Sequence, residues 1–178
     1  MKTILVPTDG SMAAEKALDL ALDLAQKHDA DVKLLHVLLR DKEPDELLRL
    51  PELSEAEGDV VSELHACEHC PEAQRTVEEL MGERNVPKRP APESLLRQIG
   101  AHVLKRATAH AAERGVSAEM LELADGAAAP SIKAAAEATN ADTIVMGTRG
   151  LRQIEAVTFG SVSQEVCRLV GCTCIAVH

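Results

Sequence analysis

The segment Gly147-Thr148-Arg149-Gly150, followed after nine residues by Gly160-Ser161, has a spacing suited to holding an anion. Just upstream, Thr143-Ile144-Val145-Met146 reads as a buried parallel strand, and Ser161-Val162-Ser163-Gln164 reads as the start of a helix. Glycines at such joints let bare backbone approach a ligand. The helix start adds unpaired N–H groups and a partial positive charge, which a phosphate satisfies. Ser161 and Gln164 also form a capping-box pattern, so the same serine can close the helix start when no ligand is present. Glu155 lies inside the nine-residue spacer, but the glycine loop offers no Glu or His placed like a general base. The pattern therefore points to binding ahead of turnover, with slow Mg2+-dependent hydrolysis as the alternative.

A second group with chemistry is His65-Ala66-Cys67-Glu68-His69-Cys70. Cys67 and Cys70 form half of a structural zinc site, and His65 or His69 could supply a third ligand, but no second C-x2-C follows. A zinc site, a redox or sensing thiol pair, and plain reduced surface cysteines all remain open readings of this cluster.

These residues need a scaffold, and the hydrophobic pattern supplies one. Thr3-Ile4-Leu5-Val6 reads as a strand, Pro7-Thr8-Asp9-Gly10-Ser11 as a turn, and Ala14, Ala17, Leu18, Ala21, Leu24 and Ala25 as one helical face. Val32 to Leu38 reads as the second strand, so residues 1–38 make a β-α-β unit. From about residue 40 to 92 regularity fails: Pro44, Pro51, Pro71, Pro87, Pro90 and Pro92 interrupt any long element, and the stretch reads as an irregular, partly helical insertion in a single domain spanning 1–178. Helical spacing resumes near Ser94 until Gly115. Ser117–Leu123, Asp142–Met146 and Thr173–Val177 then read as strands, and Pro130–Ala138 and Ser161–Val170 as helices. Strands alternating with helices predict an α/β fold with a parallel sheet covered on both faces.

Composition narrows the functional classes. The net charge of -10 resides in one segment: Asp41 to Arg84 holds 14 acidic and four basic residues, and the rest of the chain 15 of each. An acidic chain with a single aromatic, Phe159, lacks both the basic surface and the stacking platforms that nucleic-acid binding uses. No run approaches the length of a membrane-spanning helix, and Lys2 to Pro7 is a strand rather than a leader segment. Five irregularly spaced cysteines then suggest free thiols, and the expectation is a mature, soluble, cytoplasmic protein.

Three segments together, Ile4-Leu5-Val6-Pro7-Thr8-Asp9-Gly10-Ser11, Ile144-Val145-Met146-Gly147-Thr148-Arg149-Gly150 and Gly160-Ser161-Val162-Ser163, resemble the universal stress proteins. The glycine spacing equals the G-x2-G-x9-G-[S/T] pattern that marks the ATP-binding members. The resemblance implies a Rossmann-like, five-stranded parallel sheet of order 3-2-1-4-5, with nucleotide at the carboxyl edge between strands 1 and 4, where strand order reverses. It implies that Pro7, Thr8 and Asp9 border the adenosine, with Asp9 near the ribose or a bound metal. It further implies that Val37 contacts adenine, that Met146 and Gly147 line the pocket, and that Arg149, Gly150, Gly160, Ser161 and Val162 hold the phosphates. The ligand would be ATP, or ADP or AMP, with Mg2+. The protein would act as a stress-response regulator that engages an unidentified protein partner, and it would be a homodimer, since an exposed edge strand invites pairing. Asp9 has an alternative use as a cap for the first helix.

Overall fold

The computed structural model describes residues 1–40, 47, 91–148 and 161–178. Short runs of β-branched and aliphatic residues form five strands: β1 (Thr3–Pro7), β2 (Asp31–Leu35), β3 (Ala118–Met120), β4 (Thr143–Gly147) and β5 (Thr173–Val177). The alanine- and leucine-rich stretches between them form helices α1 (Met12–His28), α2 (Glu93–Glu113), α3 (Ala128–Ala138) and α4 (Ser161–Leu169). All strand pairs are parallel, in the order β3-β2-β1-β4-β5. The sequence expectation of a five-stranded 3-2-1-4-5 sheet holds.

Because side chains alternate across a strand, neighbouring residues of β1 serve opposite layers. Ile4 and Val6 pack with Ala17, Ala21 and Leu22 of α1 and Leu104, Ala107 and Ala111 of α2. Leu5, between them, packs on the other face with Ala129, Ile132 and Ala136 of α3 and Val166 of α4. Each helix thus lies against the sheet through its small or aliphatic stripe. At the amino edge, the Asp142 carboxylate accepts N–H bonds from Lys2 (2.6 Å) and Thr3 (2.9 Å), joining the starts of β1 and β4. Those two backbone bonds hold its carboxyl below the usual aspartate range.

Two strands are shorter than the hydrophobic pattern predicts. β2 ends at Leu35 rather than Leu38, and β3 covers three residues rather than running to Leu123. Beyond Leu35, Leu38 N–H donates to the Ala124 carbonyl (2.9 Å) and Ala124 N–H to the His36 carbonyl (3.0 Å), leaving Val37 in an isolated bridge with Ala124. The run stays apolar for a different reason. Leu38 and Leu39 belong to a second cluster with Leu95, Leu96, Ile99 and Val103 of α2 and with Leu47, which is fully buried. Apart from Leu47, residues 41–90 lie outside the described residues, His65, Cys67, His69 and Cys70 among them.

Candidate functional site

The carboxyl edge between β1 and β4 is where the sheet parts. The β1–β2 ladder runs to its end at Pro7↔Leu35, and the β4–β5 ladder to Gly147↔Val177. The ladder between β1 and β4, by contrast, contains only Ile4↔Thr143 and Leu5↔Ile144. Strand order also reverses there, the position at which open α/β sheets hold their ligands in a crevice outside the strand ends.

On the β1 side, the turn Thr8-Asp9-Gly10-Ser11 is fixed by a chain of short bonds. Thr8 N–H donates to the Leu35 carbonyl (2.9 Å), and the Thr8 hydroxyl accepts from Gly10 N–H (3.2 Å). Asp9 Oδ1 accepts from Ser11 N–H (3.0 Å), and the Ser11 hydroxyl caps α1 by accepting from Ala14 N–H (3.3 Å). Gly10 sits at φ 79°, in the left-handed region that glycine enters without a Cβ penalty. The cap is therefore Ser11, and Asp9 supports the turn one step earlier. Asp9 is half-buried and Thr8 is buried.

His36, a residue that sequence reasoning passed over, secures this turn from beneath. Its ring is fully buried, with Nδ1 2.9 Å from the Thr8 carbonyl. A carbonyl can only accept, so Nδ1 carries the proton and Nε2 is left as a bare acceptor with no partner among the described residues. Burial pushes the His36 pKa down, against the opposing pull of the Thr8 carbonyl and the Asp9 charge, so the imidazole is neutral. The ring lies under Gly100 of α2, where an added Cβ would meet His36 Cδ2 at 2.7 Å. A polar residue interrupting the apolar run Val32–Leu38 was the available signal.

On the β4 side, Gly147 lets the first turn of α1 come down onto the strand end. A Cβ there would lie 2.8 Å from the Ala13 carbonyl carbon and 2.9 Å from Ala14 N. The glycine predicted to admit a ligand thus also admits a helix, and the capped N-terminus of α1 lies beside the crevice. Thr148 follows, buried, with its N–H on the Val177 carbonyl at 2.8 Å. Its hydroxyl lies 3.1 Å from that carbonyl and 2.8 Å from His178 Nδ1, donating to the first and accepting from the second.

Of the other residues expected here, Pro7 is buried at the end of β1, and Val37 is half-buried two residues past β2. The Met146 side chain is buried in the cluster with Ile132, Ile144 and Val166, against which Val37 also packs. Ser161 and Val162 open α4 and are exposed. Arg149, Gly150 and Gly160 lie outside the described residues. A separate cavity of about 190 Å³ reaches Thr8 from the α1–α2 side, lined by Glu15, Asp19, Arg106 and His110 among others. There Arg106 Nη2 pairs with Glu15 at 2.9 Å and His110 Nε2 with Asp19 at 2.7 Å. No sequence spacing signalled these pairs, which join residues about ninety positions apart.

A family model described as the universal stress protein family matches residues 1–178. The chain belongs to this family. A universal stress protein of Methanocaldococcus jannaschii is 29% identical over 176 residues, covering 99% of this chain and 81% of the relative. Among solved structures, universal stress protein UspA from Lactobacillus plantarum superimposes with a TM-score of 0.63 at 22% identity, covering 99% of this chain and 97% of that one. A universal stress protein from Archaeoglobus fulgidus, solved in complex with dAMP, gives 0.56 at 17% identity, covering 100% and 98%. Another, solved in complex with cAMP, gives 0.57 at 21% identity, covering 99% and 97%. At such identities the structural likeness speaks for the fold, which this universal stress protein shares. Among the described residues no helix is long and apolar enough to cross a membrane, and no group of three or more His, Cys, Asp or Glu could hold a metal ion.

Proposed function

We propose that this universal stress protein binds an adenine nucleotide, ATP or its products ADP and AMP, in the crevice between β1 and β4. The observation that carries the reading is the early end of the β1–β4 ladder beside a turn fixed by Thr8, Asp9 and Ser11 and beside the α1 N-terminus seated on Gly147. Support comes from the intact G-x2-G-x9-G-S spacing and from the two family members solved with dAMP and cAMP. In this reading Pro7, Thr8 and Asp9 border the adenosine, Val37 meets the adenine and the Met146–Gly147 backbone lines the wall. Arg149, Gly150, Gly160, Ser161 and Val162 take the phosphates, with Mg2+ accompanying them. Arg149 offers a fixed charge to phosphate oxygens, and the α4 N-terminus offers N–H groups.

The protein acts as a cytoplasmic stress-response module whose bound nucleotide alters recognition of a protein partner. It works as a homodimer joined through β5, one of the two edge strands of the sheet. Calorimetric titration with ATP and Mg2+ tests the nucleotide site, with Asp9→Ala as control. Saturable one-to-one binding, weakened in the control, supports it. An empty titration at millimolar ATP, from protein whose ultraviolet spectrum shows no co-purified adenine, sinks it. The spectrum is decisive because a chain without Trp or Tyr contributes little absorbance of its own.

A further inference from the structure

One residue joins the two segments assigned to either side of the adenosine, Thr8–Asp9 and Val37. The His36 backbone carbonyl accepts from Ala124 N–H (3.0 Å), beside the bridge that holds Val37 to Ala124. Its side chain reaches the β1 turn instead, with Nδ1 2.9 Å from the Thr8 carbonyl and the ring fully buried. The ring is wedged in place by α2. It fills the space that Gly100 leaves, where a Cβ would meet His36 Cδ2 at 2.7 Å, Leu123 Cδ2 at 2.8 Å and His36 Nε2 at 3.2 Å. Burying Nε2 with no partner among the described residues is unfavourable, and an apolar side chain of similar bulk would avoid it. What the imidazole supplies that such a side chain cannot is the Nδ1–H bond to Thr8.

We propose that His36 is a positioning residue for nucleotide binding: by holding the Thr8 carbonyl toward the β2 side, it turns the Asp9 N–H toward β4, where that N–H donates to the bound adenosine. The proposal rests on the nucleotide reading above. No peptide bond is cis, and in a planar trans unit the C=O and N–H point in opposite directions, so fixing the Thr8 carbonyl fixes the Asp9 N–H. Strand alternation gives the same direction. Thr8 N–H bonds the Leu35 carbonyl on the β2 side, which leaves the next N–H, that of Asp9, for the β4 side. There the β1–β4 ladder has already ended at Leu5↔Ile144, and the Asp9 N–H meets no acceptor among the described residues. The remaining bonds of the turn are accepted by the Thr8 hydroxyl and the Asp9 carboxylate, and neither holds the Thr8–Asp9 peptide plane. Without His36 Nδ1 that plane can rotate, and the donor rotates with it.

The test is calorimetric titration with ATP and Mg2+ of the full chain and of His36→Asn, His36→Gln and His36→Leu, with melting temperatures measured on the same samples without nucleotide. Asparagine carries an amide N–H where the imidazole has Nδ1, glutamine carries one near the place of Nε2, and leucine carries none. Expected is an ATP affinity within about twofold of the parent for His36→Asn and a loss of roughly 3- to 10-fold, the worth of one hydrogen bond, for His36→Gln and His36→Leu. Should His36→Leu not fold, the Asn and Gln pair decides alone. A nuclear magnetic resonance spectrum of the isotope-labelled parent should also show the Asp9 amide shifting when ATP is added, and shifting much less in His36→Gln. Equal affinity in all the variants, or affinities that follow melting temperature rather than the position of the donor, overturns the proposal and leaves the nucleotide reading standing. A parent chain that binds no ATP removes both.

Discussion

Replacing Gly147 with alanine adds one methyl group where α1 meets the end of β4. That carbon would sit 2.8 Å from the Ala13 carbonyl carbon, 2.9 Å from Ala14 N and 3.0 Å from Ala13 Cβ. Carbon atoms prefer separations of about 3.5–4.0 Å, so the helix start must retreat by roughly 0.7 Å. Overpacking of this kind costs about 1–3 kcal/mol, and no rotamer change relieves it because two of the three atoms are backbone. Alanine also restricts the unfolded chain, which offsets about 0.4–1 kcal/mol. The net loss is about 0–2.6 kcal/mol against the parent and about 1–3 kcal/mol against a glycine-to-alanine control that carries the same offset, so for a chain of this size the melting temperature falls by roughly 2–12 °C below such a control. Gly171→Ala is the matched control, because nothing lies within 4 Å of its added carbon. Calorimetric melting of both variants and of the parent, with urea midpoints as a second measure, reads the difference. If Gly147→Ala melts together with Gly171→Ala, α1 is not seated on β4 as described, and the amino end of α1 cannot form one wall of the crevice.

His36 makes stability depend on pH with a definite sign. Its pKa in the folded chain lies below the ordinary 6.5, so the unfolded chain binds the extra proton first. Stability is therefore full above about pH 6.5 and falls as the pH drops through that value. Urea unfolding at pH 7.5 and pH 5.5 should show a larger drop for the parent than for His36→Asn, and equal drops would remove the buried neutral imidazole from the account. Leu47→Ala tests whether the acidic segment is docked on α2. Leu47 is fully buried among Leu38, Leu39, Leu95, Leu96, Ile99 and Val103, so truncation should cost about 2–5 kcal/mol in urea unfolding. A surface-like loss below about 0.5 kcal/mol contradicts that packing.

What the sequence reveals and what it hides follow from the range of each interaction. Strands and helices were legible because their signals are local: Ile4-Leu5-Val6 and Ile144-Val145-Met146 declare strands, and the Ala and Leu repeat of α1 declares a helix face. The end of β2 was misplaced because Val37, Leu38 and Leu39 are as apolar as a strand, although Leu38 and Leu39 serve a cluster built with α2. The turn after β1 was legible from Pro7, Asp9 and Gly10. Its support by His36 was not, because that bond joins residues 28 positions apart and becomes visible only when β2 lies beside β1. Gly147 was assigned to a ligand on glycine spacing and family resemblance, and its contact with Ala13 needed the folded layer of α1 over the sheet.

The parting of β1 from β4 has a cause in one residue. Backbone N–H groups of successive strand residues point to opposite edges, and Thr8 N–H points to β2, where it bonds the Leu35 carbonyl. Position 7 therefore faces β4, and proline there has no N–H to continue the ladder beyond Leu5↔Ile144. Pro7→Ala restores the donor. One more ladder bond gains about 0.5–1.5 kcal/mol, and the added freedom of the unfolded chain removes about 0.4–1 kcal/mol, so global stability should barely change. The local change is the informative one: the amide introduced at position 7 should exchange slowly with solvent, as strand amides do, while affinity for ATP falls as the crevice narrows. Should that new amide exchange as fast as a loop amide while binding is unaltered, the missing donor is not what holds the strands apart. The seating of α1 on Gly147 would then be left as the cause of the opening.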